Sequence, residues 1–248
     1  MFHVHLCPKD ESYVRLRDVS LFARYAVIVS EDGAFYTHQG IDWFEMRESF
    51  ERNWERGGFA RGGSTITQQL AKNVYLSGEK SLLRKAREAL IALQIESLLS
   101  KDEILEKYLN VVEFGPKLFG IKNAARKYFG KSPSELMVAE SAFLAFLLPN
   151  PKHYSVSFDR KRLSPFARSQ MKIVIERLYR FKKISEEDYH AGLYQLANFF
   201  GHPAPTDQPG QEGELAAPDS YEQRQDDEPA FEAPPLPEVP DPSEDPQQ

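Results

Sequence analysis

An all-α body is the fold class this sequence predicts, and three observations predict it. From residue 20 to 199 the apolar residues recur mostly at helical spacing, several helix starts are marked by capping serines, and convincing strand alternation is absent. Taken in order, the first apolar stretch, Ala26 to Val29, is followed at once by Glu31 and Asp32, a carboxylate pair at the end of a buried segment. Next, Trp43, Arg47, Phe50 and Trp54 recur at helical spacing, with Phe44, Met46 and Phe59 set among arginines and glutamates. That mixture suits either core packing or an interfacial helix whose rings settle at headgroup level while its cations meet lipid phosphates, and spacing leaves both open.

Gly62 and Gly63 then open onto a helix whose expected cap is Ser64, and Thr65, Gln68, Gln69 and Lys72 form one polar face ending in a cation. The following helix has Leu82, Ala86, Ala89, Leu90 and Leu93 as its expected buried side. Ser100 with Glu103, and Ser132 with Pro133 and Glu135, mark two further starts, because the serine oxygen accepts an orphan amide and the glutamate reaches back. Leu136 to Leu148 is too apolar for a surface helix and is ended by Pro149, so it is the expected central core helix. A helix from Ser164 and Pro165 buries Met171, Val174, Ile175 and Leu178, and a last one starts near Ser185.

Composition narrows the classes. With 248 residues and 41% hydrophobic content the chain holds one or two ordinary domains, and a single thiol, Cys7, excludes both a disulfide framework and a cysteine-rich metal site. The longest apolar run, Ala142 to Leu148, falls far short of the ~18 residues a membrane-spanning helix needs, and the N-terminus has no signal-peptide pattern. Residues 203–248 hold 11 of the 17 prolines, 13 acidic residues and one base, the composition of a disordered tail. Residues 1–202 carry 30 Lys+Arg against 24 Asp+Glu, so the body is basic although the whole chain has a net charge of -6. A basic body suits a phosphate-bearing ligand or an anionic membrane surface.

Three constellations carry candidate chemistry. In Glu31-Asp32-x-x-Phe35-x-x-His38 the first carboxylate follows a buried segment, where desolvation favours a proton acceptor, and Glu31 is the general-base candidate; an isolated pair of this kind would otherwise be a helix-end acid in water. His38 taken singly would be structural. In Arg61-Gly62-Gly63-Ser64-Thr65-Ile66-Thr67-Gln68-Gln69-Leu70-x-Lys72-Asn73, glycines, free helix amides and the helix dipole predict an anion site, against the ordinary alternative of a capped solvent-facing helix. A nucleotide-binding P-loop is excluded, since Gly63 stands where the phosphate-reaching lysine must be. Third, Arg84-Lys85-x-x-Glu88 places Arg84 and Glu88 on one helix face; alone this is a surface ion pair contributing ~0.3–0.5 kcal/mol.

In this order and spacing the motifs resemble the peptidoglycan glycosyltransferases of glycosyltransferase family 51, which include monofunctional enzymes and the front module of class A penicillin-binding proteins. The resemblance continues through Lys101-x-x-Ile104-Leu105-Glu106-x-Tyr108-Leu109-Asn110, Phe114-Gly115, Gly120, Ala124-Ala125, Tyr128-Phe129-Gly130-Lys131, Glu140-x-Ala142-x-Leu144-Ala145 and Pro149-x-Pro151, covering roughly residues 20 to 182. It implies a lysozyme-like head lobe with a smaller membrane-contacting jaw lobe, the jaw falling at about 43–60 within a glycosyltransferase domain at 20–202. Residues 1–19 would be an N-terminal segment with a missing or truncated anchor, and the acidic tail at 203–248 has no counterpart in the family pattern. A monofunctional enzyme is expected, because no transpeptidase domain fits in the remaining chain.

The resemblance also implies a reaction. Lipid II is the expected substrate, polymerised with inversion into β-1,4-linked glycan on the external face of the bacterial inner membrane, with the growing strand, the membrane surface and other wall-synthesis proteins as partners and no nucleic acid. By matching position, Glu31 resembles the base on the acceptor hydroxyl and Glu88 the second essential carboxylate, orienting cations or a divalent metal such as Mg or Mn; no organic cofactor is implied. Lys72 and Arg84, with Lys85, would bind the leaving diphosphate, while Ser64, Thr65, Gln69 and Asn73 position sugar and phosphate oxygens. Asp32, Phe35 and His38 would support the groove. Two other readings stand beside this one: a lysozyme-like glycan-cleaving enzyme, since paired carboxylates also hydrolyse glycosides, and an inactive membrane-associated scaffold.

Overall fold

A computed structural model describes residues 10–48, 63–75 and 82–201. The greater part of the aromatic segment at 43–60 and all of the acidic tail lie outside the described residues. Within them the body is helical, with one short hairpin.

Helix α1 (Leu21–Glu31) starts at Ser20, whose hydroxyl accepts from Ala23 N at 3.1 Å, and it buries Ala23 and Ala26 to Val29. It lies against α6 (Val138–Leu147), the expected central helix, in which every residue except Glu140 is buried. Glu140 is the exception for a reason. It accepts from Met137 N at 2.9 Å, closing the helix start, and pairs with Lys131 at 2.7 Å. The Ser132–Glu135 box therefore opens a single 3-10 turn, Pro133–Glu135, and the long helix begins only after Met137.

Two further helices complete the packing around α6: α9 (Pro165–Arg180), capped by Ser164, and α10 (Glu186–Ala197), capped by Ser185. The α9 stripe is the one read from spacing, with Met171, Val174, Ile175 and Leu178 buried. The approach of α10 to α6 requires Gly192, because a Cβ there would stand 2.6 Å from Val138 Cγ1. Arg177 of α9 donates to Val29 O at 3.2 Å, tying the third helix to the end of α1.

Three more helices build the other half: α2 (Ile66–Tyr75), α3 (Leu82–Leu98) and α4 (Lys101–Val111). Helix α2 packs on both α3 and α4. The Ser100–Glu103 capping box fixes the sharp α3–α4 turn, with Ser100 N donating to Glu103 Oε2 at 2.9 Å. Asn110, near the end of α4, pins residues 10–19 by exchanging hydrogen bonds with Val14 N and Val14 O, both at 2.8 Å.

After α4 comes the departure from an all-helical chain. Strands β1 (Glu113–Gly115) and β2 (Leu118–Phe119) pair antiparallel before α5 (Ile121–Phe129). Strands of three and two residues are too short to print an alternating pattern, which is why the sequence shows none. Short helices α7 (Pro151–Tyr154) and α8 (Val156–Asp159) follow α6, and an aromatic cluster joins them to the rest: Phe143 lies 5.4 Å from Tyr128 and 5.7 Å from Phe158, ring centre to ring centre.

Candidate active site

The end of α1 and the start of α2 are joined by charge. Asp32, 8% exposed, accepts from Ile66 N at 2.9 Å, and its two oxygens lie 2.9 and 3.0 Å from His38 Nε2. A carboxylate at a helix N-terminus is favourable, since it meets both an orphan amide and the positive end of the dipole. Two more amides at the helix start are also engaged. Thr65 N donates to Gln68 Oε1 at 3.1 Å and Gln68 N donates to Thr65 Oγ1 at 3.2 Å, so the cap is Thr65 rather than Ser64.

Asp32 and the Thr65–Gln68 pair thus engage three of the amides at the start of the helix expected to hold an anion, and the protein's own carboxylate meets one of them. Arg61 and Gly62, which lead into it, lie outside the described residues. Thr65 and Gln68, each 2% exposed, are turned inward, and Thr65 Oγ1 donates to Gly40 O at 2.6 Å. Thr65 is thus a buried structural group, not a surface ligand. Gly40 itself has φ +84° and sits close against α3, where a Cβ would lie 3.1 Å from Glu96 Cγ. Phe35 is fully buried, under the Lys101 ammonium at 4.6 Å, and lies edge-on to His38.

Glu31, the last residue of α1, is half-buried and reaches α2. Gln69 Nε2 donates to Glu31 Oε2 at 2.7 Å, and Tyr108 of α4 donates its hydroxyl to Gln69 Oε1 at 3.0 Å. Burial first, then the nearby Glu31 and Asp32 charges, hold the Tyr108 phenol well above its ordinary range. One turn beyond Gln69, Lys72 and Asn73 are exposed.

The second cluster centres on Glu88, which is 2% exposed. Lys85 Nζ bridges Glu88 Oε1 at 2.5 Å and Ser64 Oγ at 2.8 Å, while Arg84 donates from Nη1 to Glu88 Oε2 at 3.2 Å. A buried carboxylate holding two cations fixes where they stand, with Lys85 beside Ser64. Each Glu88 oxygen is engaged by a cation. Among the described residues, no three His, Cys, Asp or Glu side chains gather as a metal centre.

Helix α3 reverses its expected orientation. The inward side carries Glu88, Ala92 and Ile95, whereas Leu83, Leu90 and Leu93 are 62%, 63% and 43% exposed; Ala86 is exposed and Ala89 half-buried. Glu96 completes the inward row: Thr67 Oγ1 donates to it at 2.5 Å and Lys101 Nζ meets the same oxygen at 2.7 Å. Neither Glu96 nor Tyr108 was assigned a role from the sequence. The signal for Glu96 is the spacing of Glu88, Ala92 and Glu96, a row at i, i+4 and i+8 around a small residue.

The two clusters share helix α2 and the residues leading into it. Ser64 holds the cationic group and Gln69 holds Glu31, five residues apart, on the order of 10 Å along the chain. A surface depression between the start of α1 and residues 182–188, lined by Leu21, Met137, Lys183 and Asp188, contains none of these side chains.

The family described as transglycosylase matches residues 3–179. A biosynthetic peptidoglycan transglycosylase of Aromatoleum aromaticum is 50% identical over 150 residues, 60% of this chain and 65% of that protein. The protein of that name in Azoarcus sp. is 48% identical over 147 residues (59% and 64%), and that of Methylobacillus flagellatus 40% over 172 residues (69% and 73%). The chain thus spans just under two thirds of the first two relatives. Penicillin-binding protein 1A from Haemophilus influenzae aligns over 52% of this chain and 15% of its own at 30% identity, with a TM-score of 0.32, too low to transfer its fold. With a family match across most of its body, the chain belongs to the transglycosylase family.

Proposed function

We propose that the chain is a peptidoglycan glycosyltransferase that joins disaccharide units carried on a polyprenyl diphosphate, lipid II, into β-1,4-linked glycan. The observation that carries this reading is the common anchoring of Glu31 and of the Arg84, Lys85 and Glu88 cluster to the start of α2. In the reaction, Glu31 accepts the proton of the acceptor 4-hydroxyl as that oxygen forms a bond to the donor's anomeric carbon. The carbon–oxygen bond to the diphosphate breaks on the opposite face, its electron pair leaves with the phosphate, and the configuration inverts. Lys72, Arg84 and Lys85 neutralise the charge that grows on the leaving group, the term that most lowers such a barrier. Ser64 and Asn73 line the same path. Glu88 acts by fixing the two cations and needs no proton-transfer role.

Membrane contact belongs to the same reading. Trp43, Phe44, Leu83, Leu90 and Leu98 are 64%, 68%, 62%, 63% and 80% exposed, beside a basic body, the mixture an interfacial surface presents to anionic lipid. Among the described residues no helix is long and apolar enough to cross a membrane. The protein would act at the external face of the inner membrane, where the lipid-linked substrate and the growing strand are both held. Incubation with lipid II and, separately, with preformed glycan tests the reading. Polymer from the first is the expected result; shortened strands from the second, with no polymer from the first, would make the protein a hydrolase.

A further inference from the structure

Tyr108 has no place in the mechanism above, yet it is among the largest fully buried side chains and its hydroxyl is aimed at the base through one intermediary. It donates to Gln69 Oε1 at 3.0 Å, and Gln69 Nε2 donates to Glu31 Oε2 at 2.7 Å. Helices α4, α2 and α1 thus meet in one hydrogen-bonded row. A carboxamide has an acceptor end and a donor end that differ by a half-turn of its last torsion. Turned the wrong way, Gln69 would set a carbonyl oxygen against a carboxylate. The carboxylate, which can only accept, selects the NH2 end, and the phenol, donating to the oxygen end, secures that orientation from the other side. Burial, followed by the Glu31 and Asp32 charges, keeps the phenol protonated across any working pH, so it remains a donor.

Resting on the general-base reading of Glu31, we infer that Tyr108 is a positioning residue for the base: through Gln69 it fixes the orientation of the Glu31 carboxylate and favours its ionised form. Among the described residues, the charged and titratable groups on the elements packed here include Asp32 with His38, Tyr108 from α4, Lys72 one turn beyond Gln69 on α2, and Arg177 of α9, whose guanidinium reaches Val29 O and feels the Glu45 charge. Asp32 is engaged by His38 and Ile66 N, so it is Gln69 that responds when Tyr108 changes.

The test compares the wild type, Tyr108→Phe, Gln69→Ala and the double variant in lipid II polymerisation across pH, with the Glu31 carboxyl titration followed by carbon-13 NMR. Phenylalanine keeps the ring and its packing, and a thermal melt checks the fold. Tyr108→Phe is expected to lower kcat about tenfold with KM within about twofold. It should raise both the acidic limb of kcat and the Glu31 titration by about one pH unit. In the double variant it should add nothing to Gln69→Ala. Additive losses or an unmoved titration would overturn the relay. Should Tyr108→Phe unfold, the wild type decides alone, since the Gln69 amide resonances must titrate together with Glu31 and an amide blind to that titration overturns the proposal. Absence of polymer from the wild type would instead sink the general-base reading, and the Glu31 titration would still decide whether Tyr108 orients the carboxylate.

Discussion

Helices α6 and α3 are both rich in leucine and alanine, but only α3 turns carboxylates inward beside its buried apolar residues. In α6 the leucines and phenylalanines face inward, and Glu140 at its first turn is the residue left out. In α3 the inward side is Glu88, Ala92 and Ile95, with Glu96 beside them, while Leu83, Leu90, Leu93 and Leu98 face outward. Apolar periodicity therefore does not by itself say which side of a helix packs on the rest of the protein. On α3 the inward carboxylates anchor Arg84, Lys85 and Lys101, so the helix serves as a frame for charge.

That contrast is open to experiment, from its largest expected effect to its smallest. Lys72→Ala removes an exposed cation from the α2 face and should cost about 2–4 kcal/mol in the transition state, some 30- to 1,000-fold in polymerisation rate, with an unchanged melting temperature. A rate near wild type would take that lysine out of the mechanism. Leu144→Ala in α6, fully buried, should lower unfolding stability by about 3 kcal/mol in a denaturant titration. A loss under about 1 kcal/mol would mean that α6 is not the packed centre. Leu90→Asn on α3 should shift stability by no more than about 0.5 kcal/mol while weakening sedimentation with anionic vesicles. A large stability loss with unchanged vesicle binding would place protein over that leucine.

Range in sequence decides what could be read beforehand. The caps at Ser100, Ser164 and Ser185 join residues three apart, and each is found where the spacing put it. The buried stripe of α9 is equally local. By contrast, Asp32 meets Ile66 N across 34 positions and Tyr108 meets Gln69 across 39, and nothing in either local pattern announces the other. Thus Ser64 looked like the cap and the α2 amides looked free, because the carboxylate that engages one of them lies in another helix's end. The motifs give the Arg84–Glu88 pair within one helix and name Glu31 and Gln69 as separate candidates. The Glu31–Gln69 hydrogen bond, the tie of Lys85 to Ser64 and the inward turn of Thr65 come from packing.

The central claim is that the Glu31 proton acceptor and the cations at Ser64 serve one reaction around the start of α2. Its most direct measurement is polymerisation of lipid II by Glu31→Gln, with binding of the same substrate measured in parallel. Expected are a loss of rate of about a thousandfold or more with dissociation constants within about threefold of wild type. Glycan produced at the wild-type rate by that variant would contradict the account.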